Sequence, residues 1–373
     1  MTFRSRIIQG DALKTLRTLP SEFVQCVVTS PPYWGLRDYG VEGQMGGEDT
    51  PAAFVKQLRN VFREVRRVLR KDGTLWLNFG DSYAGSWGAQ GHSPDCASRR
   101  NIVARQVQAA KRKASGTGKV PAGLKEKDLI GMPWRVAFAL QADGWYLRSD
   151  IVWSKPNPMP ESIADRPTKS HEYLFLLSQS PSYFYDAAAI RDPAAGTAHA
   201  RGRANGEGAQ GVTPKSAEAG SGTKANSSFH RAVVGLVEER NARTVWTIPS
   251  QPFDGAHFAT FPEELARRCI VAGTSAVGAC SKCGAPWRRE EEKVAGPLLV
   301  RRSTGWASTC DCEAPVIPCV VLDPFAGSGT TCAVADAHQR SWVGIELNPE
   351  YAEMARRRVH QDGAPLFSTG PGP

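Results

Sequence analysis

The hexapeptide Thr29-Ser30-Pro31-Pro32-Tyr33-Trp34 follows an apolar run, Phe23–Thr29, and holds groups suited to an aromatic amine. The lone pair of a planar exocyclic amine is delocalised into its ring, so the nitrogen is a poor nucleophile. A Ser30 hydroxyl and the Pro31 carbonyl can accept its two hydrogens and localise that lone pair. Pro31 and Pro32 hold these acceptors rigidly. Tyr33 can stack on a base turned out of a helix, and Trp34 can wall the pocket. The plainer alternative is a proline turn with an aromatic packed over a sheet edge.

A second loop has the make-up of a ligand cradle. Asp323-Pro324-Phe325-Ala326-Gly327-Ser328-Gly329-Thr330 joins an apolar strand, Val320–Leu322, to a helix expected at Cys332–His338. Open α/β sheets bind ligands at strand C-terminal ends. Small residues there let a ligand approach the backbone. Glu346 ends the next strand, about 20 residues on, where an acid commonly accepts hydrogen bonds from ribose hydroxyls. No Gly-Lys-Ser/Thr follows, so the loop is not of the triphosphate-binding type. Gly-x-Gly alone could be an ordinary tight turn. With Asp323 before it and Glu346 after it, an adenosine-type cofactor is implied.

The nine cysteines are unevenly spread, which argues against a secreted disulfide framework. Cys280-Ser-Lys-Cys283-Gly284 resembles a zinc-ribbon knuckle, and Cys310-Asp-Cys312 adds a second pair with 26 residues between. Two pairs can supply four tetrahedral thiolates. An insert of this size can hardly bury a core of its own, so a structural zinc is expected. Reduced loop cysteines are the alternative, because the second pair is tighter than the usual C-x-x-C. Cys26, Cys269 and Cys332 fall at apolar positions and read as packing.

The elements that must position these groups alternate in a βα manner. Strands are expected at Arg6–Gln9, Phe23–Thr29, Thr74–Asn78, Tyr146–Trp153, His171–Leu177, Val320–Leu322 and Trp342–Ile345, with order resuming at Thr244–Ile248 after the second insertion. Helices are expected at Ala12–Leu19, Pro51–Leu69, Gly131–Gln141, Pro262–Ala272, Cys332–His338 and Tyr351–Arg358, and a turn at Lys71-Asp72-Gly73. The organisation is a core in the pieces 1–84, 129–190, 244–277 and 320–362. Between them lie a basic flexible loop at 85–128, an insertion at 191–243 and the cysteine insert at 278–319, with a flexible tail at 363–373.

The chain has 373 residues, 41% hydrophobic and 22% charged, which suits a globular protein with a sizeable core. No run approaches the roughly 18 apolar residues of a membrane span, and no apolar signal segment opens the sequence. A cytoplasmic protein without a membrane partner is expected. Lys and Arg number 46 against 37 acids, a net charge of +9 that favours a polyanionic partner. Arg99, Arg100, Arg105, Lys111, Arg112, Lys113 and Lys119 form a run without acids that can neutralise phosphates.

Ser-Pro-Pro-Tyr together with Asp-Pro-Phe-Ala-Gly-Ser-Gly-Thr-Thr resembles the amino-methylating DNA methyltransferases. The order, catalytic turn about 290 residues before cofactor loop, resembles the β class. Gly10-Asp11, the Trp153–Pro160 stretch with Arg166, His171 and Glu172, and His257–Pro262 with Glu264 and Leu265 resemble further family motifs. The resemblance implies a Rossmann-like fold: a mostly parallel, seven-stranded sheet flanked by helices. It implies S-adenosylmethionine as methyl donor and double-stranded DNA as partner. The backbone of Phe325, Ala326 and Gly327, with Asp323, would cradle the methionine part; the rest of the loop, Ser328, Gly329 and Thr330, belongs to the same site. Glu346 would hold the ribose, Asp11 and Asn348 would lie near the adenine, and Phe258 and Pro262 would flank the cofactor. Ser30, where other members carry Asp, leans toward cytosine N4 over adenine N6. A C5 enzyme needs a cysteine nucleophile; Pro318-Cys319 stands just before the cofactor strand, where Cys319 reads as core. Target choice falls to the insertions. No nuclease motif is present, so any restriction endonuclease would be a separate chain, and a homodimer is equally open. The family points to a bacterial or phage source. A sequence-specific DNA-binding protein without catalysis is the rival from another class.

Overall fold

The computed structural model describes residues 5–35, 41–85, 120, 123–193, 239–251, 261–294 and 300–361. Its centre is an eight-stranded sheet built of β1 (Arg6–Gln9), β2 (Val24–Thr29), β3 (Leu69–Phe79), β4 (Tyr146–Ser154), β5 (His171–Ser178), β6 (Val245–Thr247), β7 (Val320–Asp323) and β8 (Ser341–Glu346). The strand order is β1-β8-β7-β2-β3-β5-β4-β6. Pairing is parallel from β1 across to β3, antiparallel at β3–β5 and β5–β4, and parallel again at the β6 edge. The resemblance implies seven strands; the three-residue edge strand β6 brings the count to eight.

Among the described residues six α-helices cover the sheet: α1 (Ala12–Thr18), α2 (Pro51–Val68), α3 (Met132–Ala142), α4 (Glu263–Gly273), α5 (Thr330–Ala337) and α6 (Pro349–Gln361). Their ends are set by local chemistry. Thr50 caps α2 through its side chain, which accepts from Ala53 N, and Pro51 follows where no N–H is needed. One face of α2 then buries Phe54, Leu58, Val61, Phe62 and Val65. Strand residues alternate between two cores, as the pleat requires. Val27, Leu75, Leu77 and Leu322 join the core under α1, α2 and α3. Cys26, Val28, Trp76 and Val321 join the one under α4, α5 and α6. All six residues of β2 are buried, the mark of a parallel strand covered on both faces. Each fully buried phenylalanine, such as Phe54 or Phe175, contributes about 1.5–3 kcal/mol.

The expected turn at Lys71-Asp72-Gly73 is not a turn. Val24 pairs with Leu69 and Cys26 with Thr74, so this stretch is taken up as a bulge inside β3. Among the described residues no helix is long and apolar enough to cross a membrane.

The chain leaves β2 toward β3 and leaves β7 toward β8, in opposite directions across the sheet. The crevice beyond the C-terminal ends of β2 and β7 is therefore the topological switch point, where such sheets bind ligands.

Candidate active site

The glycine loop leaves the end of β7 and is tied to β8 at Ala326 and Gly327. Ala326 N donates to Ile345 O at 2.9 Å, and Gly327 N donates to Glu346 Oε2 at 2.8 Å. Asn348 N donates to the other carboxylate oxygen at 2.8 Å. Gly10 N, at the end of β1, reaches Glu346 O at 2.9 Å. Gly327 sits at φ +53, a left-handed conformation that favours glycine. A side chain there would meet nothing closer than Phe325 O at 4.0 Å, so the backbone lies open on this side. Burial raises the Glu346 carboxyl above its ordinary value, although the N–H groups of Asn348 and Gly327 draw it back.

Asp323 is the hinge between the two loops. It is 1% exposed. Its carboxylate accepts from Thr29 Oγ1 at 2.7 Å, Thr331 Oγ1 at 2.8 Å and Phe325 N at 3.0 Å. Burial pushes the acid up to about 6 against the pull of these bonds. The buried Arg358 guanidinium on α6 fixes the loop from below. It donates to Ser328 Oγ at 3.3 Å, Thr330 Oγ1 at 3.0 Å and Glu263 Oε1 at 2.6 Å, and so draws the start of α4 and Pro262 toward the loop.

The Ser30 turn leaves the end of β2 beside this loop. The Ser30 hydroxyl donates to Tyr33 Oη at 3.3 Å, and Tyr33 Oη donates to Glu172 Oε2 at 2.7 Å. Asn78, at the end of β3, donates to Ser30 Oγ, Tyr33 Oη and Glu172 Oε2 at 2.9–3.3 Å. Lys155 holds the other Glu172 oxygen at 2.5 Å. Burial works to raise the Glu172 acid, but the Lys155 charge and the donated hydrogen bonds outweigh it and keep it ionised. Among the described residues, none donates a hydrogen bond to the Asn78 side-chain oxygen inside the same cluster. The Tyr33 ring stacks on Phe79 with centroids 5.1 Å apart. Trp34 is buried, its indole donating to Glu48 O at 2.8 Å, so it anchors the turn from within the core. Pro31 is buried and Pro32 half-buried.

Two of the expected cofactor residues use their side chains as helix caps. Asp11 accepts from Lys14 N at 2.8 Å, and Asn348 accepts from Glu350 N at 2.8 Å. Phe258 and the run Arg99, Arg100, Arg105, Lys111, Arg112, Lys113 and Lys119 lie outside the described residues. So does most of the 191–243 insertion. Cys319 is buried, and burial pushes its thiol up to about 11, which suits packing rather than a nucleophile.

The ligand sulfurs of Cys280, Cys283, Cys310 and Cys312 lie within 4.8 Å of one another. None is in a disulfide. Gly284 N donates to Cys280 O at 2.7 Å and closes the turn that carries the first pair.

The sequence singles out neither Asn78 nor Arg358, and it marks Lys155 and Glu172 only as members of a family-like stretch. Asn78 is the polar residue within the apolar run Leu75–Phe79, and that is a usable signal. Lys155 and Glu172 meet because β4 pairs Trp153 with Glu172 and Ser154 with His171. That register needed the hairpin.

The sequence model of a family described as DNA methylase matches residues 24–279 and 319–357. The Type II methyltransferase M.SmaI of Serratia marcescens is 41% identical over 354 residues, 95% of this chain and 90% of that protein. M.Cfr9I of Citrobacter freundii is 42% identical over 95% of this chain and 87% of its own length. Among solved structures, the PvuII DNA methyltransferase (cytosine-N4-specific) aligns with a TM-score of 0.53 at 16% identity, covering 100% of this chain and 89% of that one. That last likeness is one of fold.

Proposed function

The chain belongs to the family of amino-methylating DNA methyltransferases, and from that premise we propose that it methylates the N4 amine of cytosine in double-stranded DNA with S-adenosylmethionine as donor. The observation that carries the reading is the 2.7 Å bond between Thr29 and Asp323, which sets the amine-accepting turn against the cofactor loop. Ser30 at the head of that turn favours cytosine N4; adenine N6 is the alternative acceptor within the family.

S-adenosylmethionine supplies a methyl group on a sulfonium, ready for direct in-line displacement. The residues present fit it. The open face at Gly327 can take the methionine part, and the half-buried Glu346 carboxylate can accept from ribose hydroxyls. The aromatic faces of Phe325 and Tyr33 can favour a cation. On the acceptor side, Ser30 Oγ and the Pro31 carbonyl accept the amine hydrogens and return electron density to the nitrogen. Glu172, held ionised by Lys155, fixes the Tyr33 hydroxyl and through it the turn. The target base must leave the stack, which costs a few kcal/mol; the basic run Arg99–Lys119 offsets this by neutralising phosphates. Displacement from a sulfonium needs no metal-activated water, so a zinc ion in the cysteine insert would serve the fold.

The test is nucleoside mass spectrometry of DNA of varied sequence after incubation with the protein and donor. N4-methylcytosine is the expected product. N6-methyladenine keeps the reaction and overturns the base. No methylated nucleoside moves the reading to a DNA-binding protein without catalysis.

A further inference from the structure

We infer that Cys280, Cys283, Cys310 and Cys312 bind one zinc ion that closes the insert between α4 and β7. The inference does not depend on the methyl-transfer reading. Four thiolates at ~2.3 Å from a tetrahedral zinc stand ~3.8 Å apart. The sulfurs already lie within 4.8 Å of one another, so closure on an ion asks for a movement of about 1 Å at most.

The surroundings are built for it. Gly284 follows the first pair at φ +69, the left-handed position that turns a knuckle back, and its N–H donates to Cys280 O at 2.7 Å. Ala279–Cys280 pairs with Val316–Ile317, which brings the two ends of the insert side by side. Thr309 Oγ1, next to the second pair, donates to Pro286 O at 2.7 Å, next to the first. Between these ends runs an antiparallel ribbon, Arg288–Val294 with Val300–Ala307.

The energetic case is the missing core. Among the described residues, none of the buried apolar side chains that form the molecule's core comes from Ser281–Pro318. Pro286 is the one buried residue among those described there. Arg289 ties the ribbon to the buried Asp186 at 2.9 Å and lies over the Trp306 ring at 4.4 Å, but this anchors the ribbon to the neighbouring core and gives the insert no core of its own. A small unit with no core needs a staple, and four converging thiolates are a set that a structural zinc takes. A set of four protein ligands leaves no open position, which is the structural form of such a site.

Metal analysis of the full-length purified chain by inductively coupled plasma mass spectrometry should give one zinc per chain. Exchange with cobalt(II) should give the sulfur-to-cobalt charge-transfer bands and strong visible bands of a tetrahedral thiolate site. The Cys310→Ser/Cys312→Ser double variant should lose both, and Cys312→His should keep the metal. Chelation should open the ribbon to protease within residues 288–307. A trace of zinc only, with all four thiols reacting freely in the untreated protein, overturns the site. So does a disulfide among the four, or iron in place of zinc.

Discussion

Thr29 and Asp323 stand 294 residues apart in the chain, and their side chains meet at 2.7 Å. β2 and β7 are neighbours in the sheet, and this bond joins their C-terminal ends beneath the two loops. The Asp323 carboxyl is pushed up to about 6 by burial. For a raised folded value, the group's stabilising contribution is complete below the unfolded value and is lost as pH rises through the folded one. Above about pH 6 the buried carboxylate then costs on the order of 3 kcal/mol. In Asp323→Asn that dependence is absent. The melting temperature of the variant minus that of the native chain should climb from about pH 4 to about pH 7 and then level off. A flat difference contradicts the buried titration.

Much of the fold was legible because its signals are local. The strand Arg6–Gln9 and the start of α2 at Pro51 fall where apolar runs and caps place them. What was not legible depends on register. The Gly73 stretch has turn chemistry yet lies inside β3, because pairing with β2 outweighs local preference. Trp34 looks like a pocket wall in a linear string, but its indole finds Glu48 O, a partner 14 residues on. Lys155 and Glu172 become a pair only once β4 and β5 are zipped.

Glu172 is the polar centre of the Ser30 turn, and its acid is held below the ordinary value of 4.5. A lowered folded value contributes stability above the unfolded value, and the contribution is lost as pH falls through the folded one. Glu172→Gln leaves Lys155 without its partner. The cost at neutral pH should be about 2–3 kcal/mol, less than for a fully buried pair because Lys155 keeps 19% exposure. Chemical denaturation should show the gap closing as pH falls below the ordinary glutamate range. Equal stability of the two proteins at neutral pH would remove Glu172 from the account.

The seven basic residues from Arg99 to Lys119 should act through phosphates. Replacing them with alanine should weaken DNA binding alike on all sequences. Each phosphate left without its cation should lower the slope of log affinity against log salt by about 0.9. Fluorescence anisotropy over a salt series reads this directly, and an unchanged slope would assign DNA binding to other residues.

The central claim is that the Ser30 turn acts on the amine while the Asp323 loop holds the donor. Ser30→Ala separates the two. Calorimetry should show S-adenosylmethionine binding within about twofold of the native chain, because the Ser30 hydroxyl is hydrogen-bonded to Tyr33 and Asn78 on the acceptor side. Formation of N4-methylcytosine in the same preparation should fall by roughly 100-fold or more. Native turnover in Ser30→Ala would contradict the account.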